Sequence, residues 1–354
     1  MGVILYVVRY FPTLTETFVH DEVRGLAGEG IGVELAAYGT RGDPGAESLG
    51  VPVHQPPHRF GWLRWLPRLM REWLRRPAWV SRRVLWMAAL LRQQKIRRVH
   101  IHFAGEAAEW TATACRRVGV PYGLTVHAVD LFRPRPGLPA VLAGAQPLLT
   151  ISEWNRRWIE EKHGVAAVVL PSGVALGEPG RPADPPRVVA VGRWVPKKGF
   201  ALLLQAWKIL DRHAELHLVS DAPAGTGGPG VVVHGLRPRR EVQSLIGSAA
   251  VFVLPCQRAP DGDMDGIPVV ILEAMAQGVP VISTRVSGIP EVVDATVGWL
   301  VEPGDTEALV GALREALDQP EEARGRGAAG RARLRAQGRS AAQHLAGLRR
   351  LLGA

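Results

Sequence analysis

The chain has 354 residues, 47% hydrophobic and 21% charged, with a formal net charge of +10. That length suits two ordinary domains, each able to bury its own core, and the composition is globular rather than disordered or fibrous. No apolar run approaches the roughly 18 residues of a membrane-spanning helix, and the two cysteines, Cys115 and Cys256, stand far apart in apolar segments, as expected of a reduced, cytoplasmic protein.

The N-terminal stretch is too brief in its apolar part, and too poor in basic residues, for a secretory signal. Residues 2–8, GVILYVV, read instead as a buried strand. Thr15, Glu16 and Thr17 open a helix carrying Phe18, Val19, Val23 and Leu26 at helical spacing, stopped by Gly28 and Gly30. A strand at residues 32–37 completes a βαβ unit, so the sheet is expected to be parallel. Further strands read at residues 98–103, 122–126 and 147–151, with helices between.

Between Arg59 and Arg98 stand twelve Lys and Arg against one acid, Glu72, so nearly all the excess charge sits in this segment. It also carries Trp62, Trp65, Trp73, Trp79 and Trp86, and Leu66, Leu69, Met70 and Trp73 can share one helical face, with Pro67 near the helix start. Such a helix suits an anionic membrane surface. It equally suits helices that pack their Trp/Leu face on the domain and expose a basic one. No nucleic-acid-binding module is recognisable, so no nucleic-acid partner is expected.

The pattern restarts after residues 171–186, a Pro/Gly-rich stretch expected to be a linker. Strands read at 187–192, 216–219, 231–234, 250–255 and 279–283. Helices read at 200–212, 239–247, 268–276 and 306–317. An Ala/Arg-rich helical tail begins at Glu321 and breaks at Gly338. The organisation expected is α/β, with two facing, Rossmann-like doubly wound domains. Residues 1–170 form the acceptor-side domain, 171–186 the linker, 187–335 the nucleotide-sugar domain and 336–354 a C-terminal helix that crosses back.

Two motifs in the second half carry chemistry. Asp265-Gly266-Ile267-Pro268 precedes a helix holding Glu273. Pro268 suits the first helical position, the helix start favours an anion, and each carboxylate can accept two sugar-hydroxyl hydrogen bonds. Taken alone, the motif also fits a capping acid and one solvated Glu. Val191-Gly192-Arg193 ends a strand, and Lys197-Lys198-Gly199-Phe200 opens a helix. An Arg fork and a Lys point charge beside helix-end amides make a metal-free diphosphate clamp, or two solvated surface cations. No dinucleotide fingerprint and no Walker A motif is present. No His/Cys/Asp cluster has metal-ligand spacing, and His100 and His102, alternating on a strand, read as cleft-edge or core residues.

Together these motifs resemble glycosyltransferase family 4, whose pattern runs Gly-Arg, Lys-Gly, then an acid, seven residues and Glu. Here it reads Arg193, Lys198, Asp265 and Glu273. His127-Ala128-Val129-Asp130, Pro171-Ser172-Gly173-Val174, Ser287-Gly288-Ile289-Pro290-Glu291 and Gly298-Trp299-Leu300-Val301-Glu302-Pro303 match further blocks of that family. The stretch from Phe11 to Phe18 is similar to a branch of exopolysaccharide and colanic-acid transferases. Asp265 stands where Glu is usual, Ser172 where Asn is, and Ser220-Asp221-Ala222-Pro223 in place of a Gly-rich turn.

The resemblance implies a GT-B fold and a retaining transfer from a UDP- or GDP-sugar to a glycan or lipid-linked acceptor, in cell-surface polysaccharide or glycolipid synthesis. It implies no metal or other cofactor. Arg193 and Lys198 would hold the diphosphate and stabilise the leaving group; Glu273 would bind ribose. Asp265, through the turn containing Gly266, Ile267 and Pro268, would contact the transferred sugar, with His127 near that sugar. The protein would be cytoplasmic, on the inner face of the plasma membrane. The alternatives are another GT-B enzyme, a phosphorylase or an epimerase, or a non-catalytic sugar-nucleotide sensor at the membrane.

Overall fold

The computed structural model describes residues 2–13, 16–40, 49–57, 62–75, 81–93, 95–132 and 135–354. The chain divides into two compact units. The first comprises Met1–Ile151, Arg156–Leu170 and Leu345–Ala354, and the second Ser152–Asn155 and Pro171–His344.

The first 170 residues run β1 (Val3–Tyr10), α1 (Thr17–Gly28), β2 (Val33–Gly39), β3 (Val53–His54), α2 (Trp62–Arg75), α3 (Arg82–Gln93), β4 (Ile96–His102), α4 (Glu106–Val118), β5 (Tyr122–Val126), α5 (Ala128–Leu131), α6 (Leu138–Ala143), β6 (Leu148–Thr150), α7 (Glu153–His163) and β7 (Val168–Val169). Among the described residues the strands form a seven-stranded sheet, ordered β3-β2-β1-β4-β5-β6-β7. Every pairing in it is parallel. The centre of β1, Ile4 to Val8, is fully buried, which explains its unbroken apolar run: a parallel strand is covered on both faces. α1 lays Val19, Val23 and Leu26 along one stripe into the same core. Leu348 and Leu352 complete that core from the C-terminal end of the chain.

The second half runs β8 (Arg187–Val191), α8 (Phe200–Ile209), β9 (Glu215–Val219), β10 (Val231–Val233), α9 (Arg239–Gly247), β11 (Val251–Leu254), α10 (Val269–Ala276), β12 (Val281–Thr284), β13 (Gly298–Val301), α11 (Thr306–Asp318), α12 (Pro320–Ala336) and α13 (Ala341–Leu352). Among the described residues its six strands are ordered β10-β9-β8-β11-β12-β13, again all parallel. The core holds Phe252, Ile271, Met275, Ile282 and Leu313. In both sheets the order reverses once, between β1 and β4 and between β8 and β11, and the crevice beyond the strand ends at such a reversal is where doubly wound folds bind ligands.

Several details differ from the sequence reading. Residues 171–186 are packed within the second unit: Val174 bridges Ser340, and the amides of Gly180 and Ala183 donate to the carbonyls of Gln277 and Ser248. A Pro/Gly-rich composition signals irregular backbone, and here that backbone is hydrogen-bonded. Pro268 is the cap before α10 and not its first residue: with ψ at 127° it is extended, and its carbonyl accepts from Ile271. Pro67 lies inside α2 rather than near its start. Of the expected apolar face of that helix, only Leu69 is buried.

Candidate functional site

In the second unit the site is built where β8 and β11 end. After β8 the chain turns through Gly192 and Arg193, and the Trp194 amide donates to Asp221 at 2.6 Å. The Trp194 ring stacks on Phe200, centroids 5.6 Å apart. Pro196–Lys198 form one 3-10 turn, closed by Gly199 at φ +69°. That position needs glycine twice over: φ is left-handed, and a β-carbon would overlap the Pro255 carbonyl oxygen. The close approach brings both lysines against the loop after β11.

There the charges interlock. Lys198 Nζ lies 2.7 Å from Asp265 Oδ2, both side chains largely buried. Lys197 Nζ lies 3.1 Å from Asp263 Oδ1 and 3.5 Å from Asp265 Oδ1. Burial pulls the Lys198 ammonium down, but the Asp265 carboxylate outweighs it, and Lys198 titrates above its ordinary value. Burial pushes Asp265 up, but Lys198 and Lys197 outweigh that and hold it below the usual carboxylate range. Both groups are therefore ionised at neutral pH. Cys256 points its thiol at Asp265, Sγ to Oδ2 3.7 Å; burial and that carboxylate keep the thiol protonated. Arg193 is exposed, and its charge acts on Lys198. Gly266, Ile267 and Pro268 are buried between Asp265 and α10. Glu273, on α10, is largely buried, with Oε1 3.4 Å from Arg239 Nη2.

The structure thus joins Lys198 to Asp265, and it adds two residues not singled out from sequence, Lys197 and Asp263. The signal for Lys197 is present in the Lys-Lys pair, but sequence does not say that both adjacent lysines turn inward. Ionic groups packed this closely, at strand ends and beside a helix start, can hold an anion with several hydrogen-bonding oxygens.

His127 belongs to the first unit, where it follows β5 and precedes α5. Its amide donates to Asp130 Oδ2 at 2.9 Å, and its Nε2 lies 3.3 Å from His102 Nδ1. His102 Nε2 lies 3.0 Å from Glu22 Oε2, and Tyr6 donates its phenol to the same oxygen at 3.2 Å. Sequence placed His100 and His102 at the cleft edge or in the core; both are buried. It found no cluster with metal-ligand spacing, yet folding brings one donor atom each from Glu22, His100 and His102 within 4.8 Å of one another. That cluster draws on α1 and β4, eighty residues apart, so no spacing rule could show it.

Residues 15–178 match the family described as Glycosyltransferase Family 4, and residues 185–319 match Glycosyl transferases group 1. Over 245 residues the chain is 31% identical to the amylovoran biosynthesis glycosyltransferase AmsK of Erwinia amylovora, covering 61% of this chain and 59% of AmsK. The chain therefore spans about three fifths of that relative's length. Over 164 residues, 42% of this chain and 43% of the other, it is 34% identical to the GDP-mannose-dependent alpha-(1-6)-phosphatidylinositol monomannoside mannosyltransferase of Mycolicibacterium smegmatis. Anabaena Alr3699/HepE, solved in complex with UDP-glucose, matches over 100% of both chains with a TM-score of 0.78 at 14% identity, which shows a shared fold.

Proposed function

Because the chain belongs to glycosyltransferase family 4, we propose that it moves a sugar from a UDP- or GDP-sugar to an acceptor hydroxyl with retention of configuration, in cell-surface polysaccharide or glycolipid synthesis. The observation that carries this reading is the buried ionic cluster of Lys197, Lys198, Asp263 and Asp265 at the β8/β11 strand ends. A departing nucleoside diphosphate develops negative charge, and a lysine held cationic at that point stabilises it. Arg193, exposed beside Lys198, supplies the fork that grips the other phosphate oxygens. Without ligand, Asp265 answers the charge of Lys198. When the diphosphate shares Lys198, Asp265 gains free acceptor capacity for a hydroxyl of the transferred sugar. Glu273 takes the ribose hydroxyls, and His127 the transferred sugar. Three cations serve the role that magnesium fills in other phosphoryl sites, so the reading needs no metal or other cofactor.

The same reading includes an anionic membrane surface as partner. On α2, Leu66, Met70 and Trp73 are 48%, 50% and 44% exposed, and Arg64, Arg68 and Arg71 are exposed beside them. The one acid of the helix, Glu72, is withdrawn into the unit and paired with Arg92 at 2.9 Å. The outer surface is thus apolar and cationic with no acid to repel anionic lipid. Among the described residues no helix is long and apolar enough to cross a membrane. Trp79 and the other residues of 58–61 and 76–80 lie outside the described residues.

Titration calorimetry with UDP, GDP and ADP tests the donor site. Heat is expected with at least one, and Lys198→Ala should lower transfer by about 2–4 kcal/mol in activation free energy. No heat with any nucleoside diphosphate would end the reading. Proton NMR of the product decides between retention and inversion.

A further inference from the structure

We infer that a hydrogen-bonded line from Glu22 through His102 fixes the tautomer and ring orientation of His127, which makes Glu22 and His102 positioning residues for sugar transfer. The inference rests on the transferase reading above.

The line runs through three elements: Glu22 on α1, His102 at the end of β4, and His127 just after β5. Its links are 3.0 Å, Glu22 Oε2 to His102 Nε2, and 3.3 Å, His102 Nδ1 to His127 Nε2. Direction follows from chemistry. Burial, then the Glu22 carboxylate, pushes the Tyr6 phenol far up, so Tyr6 keeps its proton and donates to Glu22 Oε2. With Glu22 ionised, its carboxylate only accepts, so His102 Nε2 carries the proton of the next link. In a neutral His102 ring, Nδ1 is then the acceptor, and His127 Nε2 must donate to it. His127 is left with Nδ1 as its unprotonated nitrogen.

Packing holds the ring planes. Tyr6 stacks on His102 at 5.7 Å and 20°, and His102 on His127 at 5.6 Å and 24°. Phe18 and Phe103 lie 4.8 Å and 4.5 Å from the His127 ring. Phe103 does so at φ +70°, a left-handed conformation unusual for an aromatic residue and found where surroundings enforce it. Glu22 and His102 are buried, while His127 is part-exposed, so the line starts in the core and ends where a sugar can reach it. Burying a carboxylate and an imidazole in a strand-and-helix core is costly compared with apolar packing. What the arrangement yields is one fixed tautomer at its outer end, as in other sites where a buried acid orients a histidine.

Two measurements test this. In wild-type protein labelled with ¹⁵N-histidine and assigned with His127→Gln, His127 should show a proton on Nε2 and none on Nδ1. A proton on Nδ1 in the neutral ring overturns the proposal. This readout needs no turnover, so it stands even if the chain transfers no sugar. In transfer assays, His102→Leu breaks the line, while His102→Gln can still donate to Glu22 and accept from His127. The expected result is kcat down about 10–100-fold in His102→Leu, with nucleoside-diphosphate affinity within about threefold, and recovery of most of kcat in His102→Gln. Equal kcat in all three proteins overturns it. So does a stoichiometric metal ion in the purified wild type, because a cation on Glu22 and His102 would replace the hydrogen bond.

Discussion

Removing Lys198 and removing Asp265 should change nucleoside-diphosphate binding in opposite directions. At 2.7 Å, two unit charges in an effective dielectric near 20 attract by about 6 kcal/mol. Desolvation cancels part of that, and taking one partner from a buried pair costs about 3–5 kcal/mol. The two losses differ because Asp265 keeps Lys197 at 3.5 Å, whereas Lys198 loses the carboxylate that answers it. Asp265→Asn should therefore cost about 3–5 kcal/mol of folding stability, and Lys198→Met about 1–3 kcal/mol. Ligand binding should run the other way. Over Arg193, Lys197, Lys198, Asp263 and Asp265, the formal charge is one positive in the wild type, two in Asp265→Asn and none in Lys198→Met. A shift of about 1.4 kcal/mol is tenfold in affinity, so UDP or GDP should bind about tenfold more tightly to Asp265→Asn and at least about tenfold more weakly to Lys198→Met. Urea unfolding and titration calorimetry, at one ionic strength, measure both. If the two variants weaken binding equally, or if Lys198→Met is the less stable, the cluster does not work as described.

Replacing Leu66, Met70 and Trp73 together by Ser should leave the folded protein in the supernatant with anionic liposomes while the wild type co-sediments; equal recovery of both rules out docking through α2. Asp130 is pushed up to about 7 by burial, against the pull of the His127 and Ala104 amides. Its folded form holds the proton more tightly than the unfolded chain, so the contribution of Asp130 to stability is greatest below about pH 4 and is lost as pH rises to about 7, by roughly 4 kcal/mol at most. Asp130→Asn should remove that slope in melting temperature against pH, and an unchanged slope refutes the assignment. Gly199→Ala should cost more than about 2 kcal/mol, from left-handed strain and the collision with Pro255; an unchanged denaturation midpoint would show that the turn yields.

The alternation of apolar strands with amphipathic helices was readable because each element states its own period, and β1 and β8 fall where their runs of Val and Ile place them. β13 is not legible as a strand in the sequence: Gly298–Val301 is four residues long and its Gly weakens a strand pattern, although that Gly is required where a β-carbon would strike the Val281 carbonyl. In the site, sequence supplied Lys198, Asp265 and their common motif, but not their contact or the inward turn of Lys197, which depend on one left-handed glycine. His102 was visible as a strand residue, but its partners Glu22 and His127 come from other elements, so its role emerges only from tertiary pairing. The apolar residues of α2 looked like one face; burial of Leu69 beside Glu72 splits them, since residues three apart can point inward while the next row points out.

The packing of α13 residues into the first unit's core has a bearing on biosynthesis. Leu348 and Leu352 are fully buried there, and each contributes up to about 1.5–3 kcal/mol by burial. A ribosome that has finished the first sheet has therefore not yet delivered the side chains that seal it. Residues 171–344 of the second unit are made before Leu348 and Leu352 emerge, so substitutions at these two positions will register as defects of the first unit.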